Sequence, residues 1–166
     1  LLGTTNGKSI RFSEEQIRPS GRKTMGVKGI TLSSKDDKVV GMLLIKREGT
    51  VLVATENGFG KRTEIIQYRA QKRGGKGVLT MKTTDKIGKM ITIKEVVGTD
   101  DLMIIRDDGV LIRMPVSQIR SIGRATQGVK LIKLAEGTKV SAITRIISEE
   151  EKTADEPENN PEPQDT

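Results

Sequence analysis

The chain of 166 residues contains 29 basic and 22 acidic residues, a formal net charge of +7, and neither cysteine nor histidine. Without cysteine there is no disulfide framework and no thiolate chemistry, which fits a reducing cytoplasm, and a zinc site would have to be built from carboxylates alone. No apolar run approaches the roughly 20 residues of a membrane-spanning helix, so we expect no membrane insertion.

The charge is divided between two unlike segments. From Glu149 onward the chain has eight acids and one base, which leaves 28 basic and 14 acidic residues in 1–148, a net charge of +14. A body this basic favours a polyanionic partner through its summed electrostatic field. We expect the acidic segment 148–166, which has no apolar stretch, to be a disordered tail.

Residues 1–147 contain three copies of one unit at an offset of 51 residues, and seven positions are identical in all three copies without a gap. In chain order these positions are Gly7/Gly58/Gly109, Arg11/Arg62/Arg113, Gln16/Gln67/Gln118, Arg18/Arg69/Arg120, Arg22/Arg73/Arg124, Gly26/Gly77/Gly128 and Val27/Val78/Val129. A fixed period of this size is typical of a propeller or a repeat array.

Each unit is predicted to consist of strands. In chain order we expect strands at 29–32 and 39–45, then at 51–55, 78–81 and 90–97, and then at 102–106, 110–114, 130–134 and 140–147. Asn57-Gly58 and Asp108-Gly109 follow β-prone runs, and such pairs are the strongest short signal for a hairpin turn. With a return strand after each turn, every unit has the four short strands of a propeller blade.

The predicted fold class is therefore all-β, a propeller-like array of three four-stranded blades at about 1–46, 51–97 and 102–147. Known propellers have at least about four blades. In addition, Leu1 aligns with Leu52, in the middle of a strand. We therefore expect the chain to be the last part of a longer array.

No nucleotide-binding motif is complete. The run Gly74-Gly75-Lys76-Gly77 differs from the Walker pattern because Ala70 stands where the first glycine belongs. In addition, Gly77 stands where Ser or Thr must follow the lysine. The sequence therefore does not predict a P-loop.

Other catalytic candidates have simpler interpretations. Tyr68 is the only tyrosine, but its column holds Ile17 and Ile119 in the other units, which predicts a packing side chain rather than a nucleophile. The acid pairs are predicted to be solvated loop residues rather than metal ligands; they lie at 14–15, 36–37, 100–101 and 107–108.

Three of the invariant columns are arginine. A single arginine is usually a surface charge, but a solvated face ordinarily drifts to Lys, Glu or Gln, so a charge kept in all three units favours a function. Arginine binds phosphate oxygens with two parallel hydrogen bonds, which holds register better than a point charge. We predict that a positive track along one blade edge is formed by Arg11, Arg62, Arg113, Arg18, Arg69, Arg120, Arg22, Arg73 and Arg124, together with Lys61.

The segment Gln71-Lys72-Arg73-Gly74-Gly75-Lys76-Gly77 is the most basic of the loops. It holds three cations and three glycines, whereas segments 20–26 and 122–128 keep the arginine and the last glycine but carry fewer cations. Glycines allow backbone N–H groups to approach phosphates closely. We predict that 71–77 makes the tightest DNA contact, and the alternative is a flexible exposed turn.

The nucleic acid is predicted to be double-stranded DNA. The chain has two Phe, one Tyr and no Trp, whereas single-strand binders stack bases on aromatic side chains. No recognition-helix pattern stands out. The remaining mode is contact with the phosphate backbone of a duplex, with little sequence readout and strong salt dependence.

The same residues resemble a known family. Segment 71–77 is similar to the gyrase-A box, Gln-Arg-Arg-Gly-Gly-Lys-Gly, with Lys72 in place of Arg. Segments 57–63 and 116–129 also resemble the C-terminal domain of DNA gyrase A subunits, which belong to bacterial type II topoisomerases. The resemblance implies a six-bladed β-pinwheel whose basic rim wraps duplex DNA and so supports negative supercoiling. It aligns the chain with the last three blades, whereas the principal box is expected in the first blade, which makes 71–77 a candidate auxiliary copy.

The resemblance also implies partners and cofactors. The partners are double-stranded DNA, the B subunit of a heterotetramer, and the rest of the gyrase A polypeptide, in the cytoplasm with the nucleoid. The fragment would be non-catalytic and without a cofactor, since the cleaving tyrosine, ATP and Mg²⁺ belong to other parts of the parent enzyme. Two alternatives stay open: the related domain of topoisomerase IV, and a propeller module that docks proteins on its basic edge.

Overall fold

The structure, a computed structural model, describes residues 1–147; the predicted acidic tail lies outside the described residues. Its strands are β1 (Leu2–Thr4), β2 (Lys8–Ile10), β3 (Val39–Met42), β4 (Thr50–Thr55), β5 (Phe59–Glu64), β6 (Val78–Leu79), β7 (Met90–Val96), β8 (Asp101–Arg106), β9 (Leu111–Pro115), β10 (Val129–Lys130) and β11 (Val140–Ile146). Short 3-10 turns follow β5 and β9 directly, at Ile65–Gln67 and Val116–Gln118, and a third occupies Glu14–Gln16. No helix in 1–147 is long and apolar enough to cross a membrane.

The strands form three antiparallel sheets, one for each unit. Their strand orders are β3-β1-β2-β6, β10-β5-β4-β7 and β11-β8-β9. The predicted all-β, propeller-type fold is confirmed, although segment 29–32 forms no strand. The hairpin turns are also confirmed, because Gly7, Gly58 and Gly109 all have positive φ, at 74°, 78° and 83°.

The blades differ from the prediction in two respects. Among the described residues the third sheet has three strands instead of four, and the third strand of a unit does not join its own sheet. β6 of the second unit pairs with β2 of the first, with Lys8 opposite Leu79. β10 of the third unit pairs with β5 of the second in the same register, with Phe59 opposite Lys130. Each of the two four-stranded sheets is therefore completed by a strand of the following unit.

The core lies between neighbouring blades. Along β4, Val51 and Val53 face one buried cluster, whereas Leu52 and Ala54 face another. This alternation is expected of a strand, whose successive side chains point to opposite faces. Because the middle sheet is covered on both faces, all four side chains are at most 1% exposed. Fully burying a Val or Leu contributes about 1.5–3 kcal/mol.

Candidate nucleic-acid interface

One arginine column is free at the surface. Arg18, Arg69 and Arg120 are exposed, and their side chains make no hydrogen bond or ion pair with any residue of 1–147. Each lies two residues after a 3-10 turn, at the end of the sheet opposite the hairpin glycine. The fold therefore presents the same unpaired guanidinium once per blade, which is the part of the predicted track that fits DNA contact directly.

The segment 71–77, here called the box loop, lies against the preceding unit. The N–H of Gln71 donates to the carbonyl of Arg11 at 2.8 Å, and the N–H of Gly74 donates to the carbonyl of Gly29 at 2.8 Å. Thr31 completes the contact, since its Oγ1 donates to the carbonyl of Gly74 at 2.6 Å. These backbone groups are occupied by protein, whereas the side chains of Lys72 and Lys76 are exposed.

The glycines of the box loop serve this packing. Gly74 and Gly77 have positive φ, at 81° and 70°. A Cβ on Gly77 would lie 2.3 Å from the carbonyl oxygen of Ser9, so the two backbones meet closely at this point. The interpretation that the glycines bring N–H groups to phosphate is replaced by a simpler one, in which they bring the loop onto the neighbouring blade.

The column Arg22/Arg73/Arg124 divides into two kinds of residue. Arg73 donates from Nε to the carbonyl of Gln16 at 3.0 Å and from a terminal nitrogen to that of Lys28 at 2.6 Å. Arg124 donates to the carbonyl of Leu79 at 2.9 Å. Arg22 is exposed, with a side chain that has no partner within 1–147. Two members of this column are therefore anchors between units.

The column Arg11/Arg62/Arg113 also holds backbone together. Arg11 donates to the carbonyl of Tyr68 at 3.1 Å, and Arg62 donates to that of Ile119 at 2.8 Å, so each arginine binds the end of the next unit's 3-10 turn. Arg113 has no following turn within the described residues and pairs with Asp101 instead, at 2.6 Å. An inter-unit anchor explains why Arg recurs at this position, a role that the repeat pattern alone did not reveal.

Lys61 requires a correction, because it is fully buried. Its Nζ donates to the carbonyl of Gly123 at 2.6 Å, to the carbonyl of Arg124, and to Oγ1 of Thr126 at 2.9 Å. Burial, and then repulsion from the Arg124 guanidinium, lower the pKa of the Lys61 ammonium to about 8. The predicted DNA contact by Lys61 does not agree with this buried position, at the contact between the second and third units.

Tyr68 packs as predicted. It is 1% exposed, belongs to the buried cluster around Val53, and its hydroxyl shares a hydrogen bond of 2.6 Å with Oγ1 of Thr80. Burial raises the pKa of this phenol. The side chain is thus a core residue with a satisfied hydroxyl.

Two of the acid pairs contain buried carboxylates, contrary to the prediction of solvated loops. Asp100 is 0% exposed and forms a two-pronged ion pair with Arg47, at 3.0 and 3.1 Å. Asp37 is 1% exposed and accepts hydrogen bonds from Thr5, Asn6 and Ser33. Within residues 1–147 no cluster of carboxylates is arranged to hold a metal ion.

A single family matches the chain at all three units. The DNA gyrase C-terminal domain, described as a β-propeller, matches residues 1–46, 49–96 and 100–146. The chain belongs to the DNA gyrase C-terminal domain family. The box loop and the exposed arginine column are therefore features of a DNA gyrase C-terminal domain, and the predicted resemblance is confirmed.

Two similar proteins are DNA gyrase A subunits. The DNA gyrase A subunit of Staphylococcus epidermidis (strain ATCC 12228 / FDA PCI 1200) is 45% identical over 153 residues, 91% of this chain and 17% of that protein. The DNA gyrase A subunit of Staphylococcus aureus (strain NCTC 8325 / PS 47) is 43% identical over 162 residues, 96% of this chain and 18% of that protein. The chain spans less than a fifth of the length of these relatives.

Solved structures share the fold. A structure of the DNA gyrase A C-terminal domain superposes with a TM-score of 0.81 at 23% identity, covering 88% of this chain and 50% of that one. The C-terminal domain of DNA topoisomerase IV superposes with a TM-score of 0.80 at 21% identity, covering 87% and 45%. The fold is common to both enzymes and does not separate them.

Proposed function

We propose that this chain binds and bends double-stranded DNA through the phosphate backbone, as the DNA-wrapping part of a gyrase A polypeptide that supports ATP-dependent negative supercoiling. The observation that carries the proposal is the exposed column Arg18, Arg69 and Arg120, which repeats once per blade on a body of net charge +14. Three guanidinium groups at one-blade intervals can meet phosphates spaced along a curved duplex.

The box loop adds to this surface through Lys72 and Lys76. Because both are exposed while Arg73 is bound to the first unit, we propose that the two lysines, and not the arginine, make the DNA contacts of the box. The partners proposed for the whole protein are a gyrase B subunit, in the cytoplasm, together with the remainder of the gyrase A polypeptide. ATP and Mg²⁺ are assigned to those other parts.

The salt dependence of DNA affinity tests the proposal. For the 166-residue chain and a linear duplex, log affinity falls with log salt concentration by about 0.9 for each phosphate neutralised. Arg69→Ala is expected to reduce this slope by about 0.9, and Lys72→Ala with Lys76→Ala by about twice as much. Lys86→Ala is the matched control, since Lys86 is exposed in the same unit but lies beside the hairpin turn, where its carbonyl accepts from Asn57.

The proposal would be contradicted if the affinity of the parent chain did not depend on salt concentration. It would also be contradicted if Lys86→Ala reduced the salt slope as much as the test variants do. Bending is measured separately, by fluorescence energy transfer between the ends of the duplex. Supercoiling by the reconstituted holoenzyme distinguishes a gyrase from a topoisomerase IV, because the fold does not.

A further inference from the structure

Two equivalent turns differ in the direction of one peptide group. The box turn is residues 72–75, and the third-unit turn is residues 123–126. In the box turn Gly74 has φ 81° and its N–H donates inward to the carbonyl of Gly29. Its counterpart Ala125 does not have positive φ, and its N–H donates to no group within 1–147. The N–H of Arg124 is likewise without a partner there, whereas that of Arg73 donates to the side chain of Gln16 at 2.7 Å.

Lys61 accounts for the difference. Its buried ammonium lies under the third-unit turn and binds the carbonyls of both Gly123 and Arg124. Ile10 occupies the same position under the box turn, with its Cδ1 only 3.5 Å from where a Cβ on Gly75 would lie, and it offers no donor. A lysine beneath one turn and an isoleucine beneath the other therefore favour opposite orientations of the peptide above them.

The orientation of the carbonyls fixes the orientation of the N–H groups. A trans peptide holds its C=O and N–H on opposite sides. Because the carbonyls of Gly123 and Arg124 point inward to Lys61, the N–H groups of Arg124 and Ala125 point away from it, and Ala125 is exposed. Successive outward N–H groups form a concavity that binds anions. Within residues 1–147 the Lys61 ammonium pairs with no carboxylate, because its hydrogen bonds go to the two carbonyls and to Thr126. Glu64 instead accepts a hydrogen bond from Ser121, before the turn.

We propose that the N–H groups of Arg124 and Ala125 form a binding site for one phosphate oxygen, and that Lys61 is the positioning residue that creates it. Resting on the proposed function, the inference assigns the phosphate to the backbone of the bound duplex. The second and third units then bind DNA differently: the box loop uses exposed lysine charge, whereas the third-unit turn uses backbone donors with an internal cation.

Amide chemical shifts of the ¹⁵N-labelled chain test the site directly. Inorganic phosphate and a short duplex are titrated separately, and each is expected to move the proton resonances of Arg124 and Ala125 downfield. The double variant Lys61→Ile with Ala125→Gly reproduces the box-turn pair of Ile10 and Gly74 without changing an exposed charge. It is expected to abolish both shifts and to weaken duplex binding about tenfold, the effect of one charge-assisted hydrogen bond.

Ala125→Gly alone is the matched control, because it keeps Lys61 and should keep the shifts. Unchanged resonances of β8 and β11 show that the third unit of the double variant is folded. If the duplex moves the resonances of Arg124 and Ala125, the ligand is a DNA phosphate. If only inorganic phosphate moves them, the anion site is supported, but its ligand is a free phosphate.

Equal shifts in the parent and the double variant, or no shift at Arg124 and Ala125 with either ligand, overturn the inference. A duplex that perturbs Arg69 and Lys72 but neither residue of the turn leaves the proposed function standing while this site fails.

Discussion

Raising the pH above 8 is expected to stabilise the chain because Lys61 is buried. The pKa of its ammonium is lowered to about 8 from 10.5, first by burial and then by the Arg124 guanidinium. Between these two values the unfolded chain holds the proton and the folded chain does not. Stability therefore rises with pH across this window, because the unfolded state binds more protons. At about 1.4 kcal/mol per pKa unit, the full gain is about 3 kcal/mol.

Urea denaturation at pH 7, 8, 9 and 10 measures this effect. Other groups titrate in the same range, so the quantity of interest is the difference in unfolding free energy between the parent chain and Lys61→Ile. Ile is the residue that the first and third units carry at this position, in Ile10 and Ile112. The unfolding free energy of the parent chain should increase relative to that of Lys61→Ile as the pH rises from 8 to 10.

A matched control uses an exposed lysine. Lys86→Ala removes a lysine that is exposed, and its stability curve should stay parallel to that of the parent. If the parent and Lys61→Ile also give parallel curves from pH 7 to 10, the lysine is not desolvated as described and the reasoning fails.

Further predictions concern the contacts between units. Gly77→Ala is expected to destabilise the chain by about 2 kcal/mol or more because of the clash and its positive φ, whereas Gly26→Ala, with nothing within 4 Å, should be near neutral in urea denaturation. Arg62→Ala should cost about 1.5–3 kcal/mol of unfolding free energy, against no more than about 0.5 for Arg69→Ala at the free surface. Burial alone would raise the pKa of Asp37, but its hydrogen bonds lower it to about 2. The unfolding free energy of the parent should therefore fall as the pH is lowered from about 4 to 2, and that of Asp37→Asn should fall less over the same range.

The repeat made much of the fold predictable. Comparing the three copies located most of the strands and the hairpin glycines, and it assigned Tyr68 to the core because Ile17 and Ile119 share its column. The same comparison identifies Lys61 as buried, since its column holds Ile10 and Ile112. Its charge obscured this signal, because lysine is rarely buried without a partner.

The exchange of strands between units could not be predicted from the pattern. Consecutive units carry the same pattern, so the sequence of β6 fits its own sheet and the preceding one equally well. The anchoring arginines were hidden for a related reason. Arg11 and Arg62 bind backbone carbonyls, and every residue has one, so no acceptor residue type marks the contact.

Of the candidate site, the sequence predicted which cations recur but not which of them are free. Arg18 and Arg62 are equally invariant among the units, yet one is exposed and the other is bound to the next unit. That distinction depends on how two blades pack and on where their carbonyls point. It therefore becomes visible only in the folded chain.

The exchanged strand has a consequence for how such arrays change in length. The contact between β2 and β6 recurs between β5 and β10 in the same register, one unit further along. An internal duplication or deletion of 51 residues therefore leaves every contact between blades with its proper partner, whichever residue it starts from. Genetic gain or loss of a whole blade needs no new interface, whereas an insertion inside β5 shifts the register of its pairing with both β4 and β10.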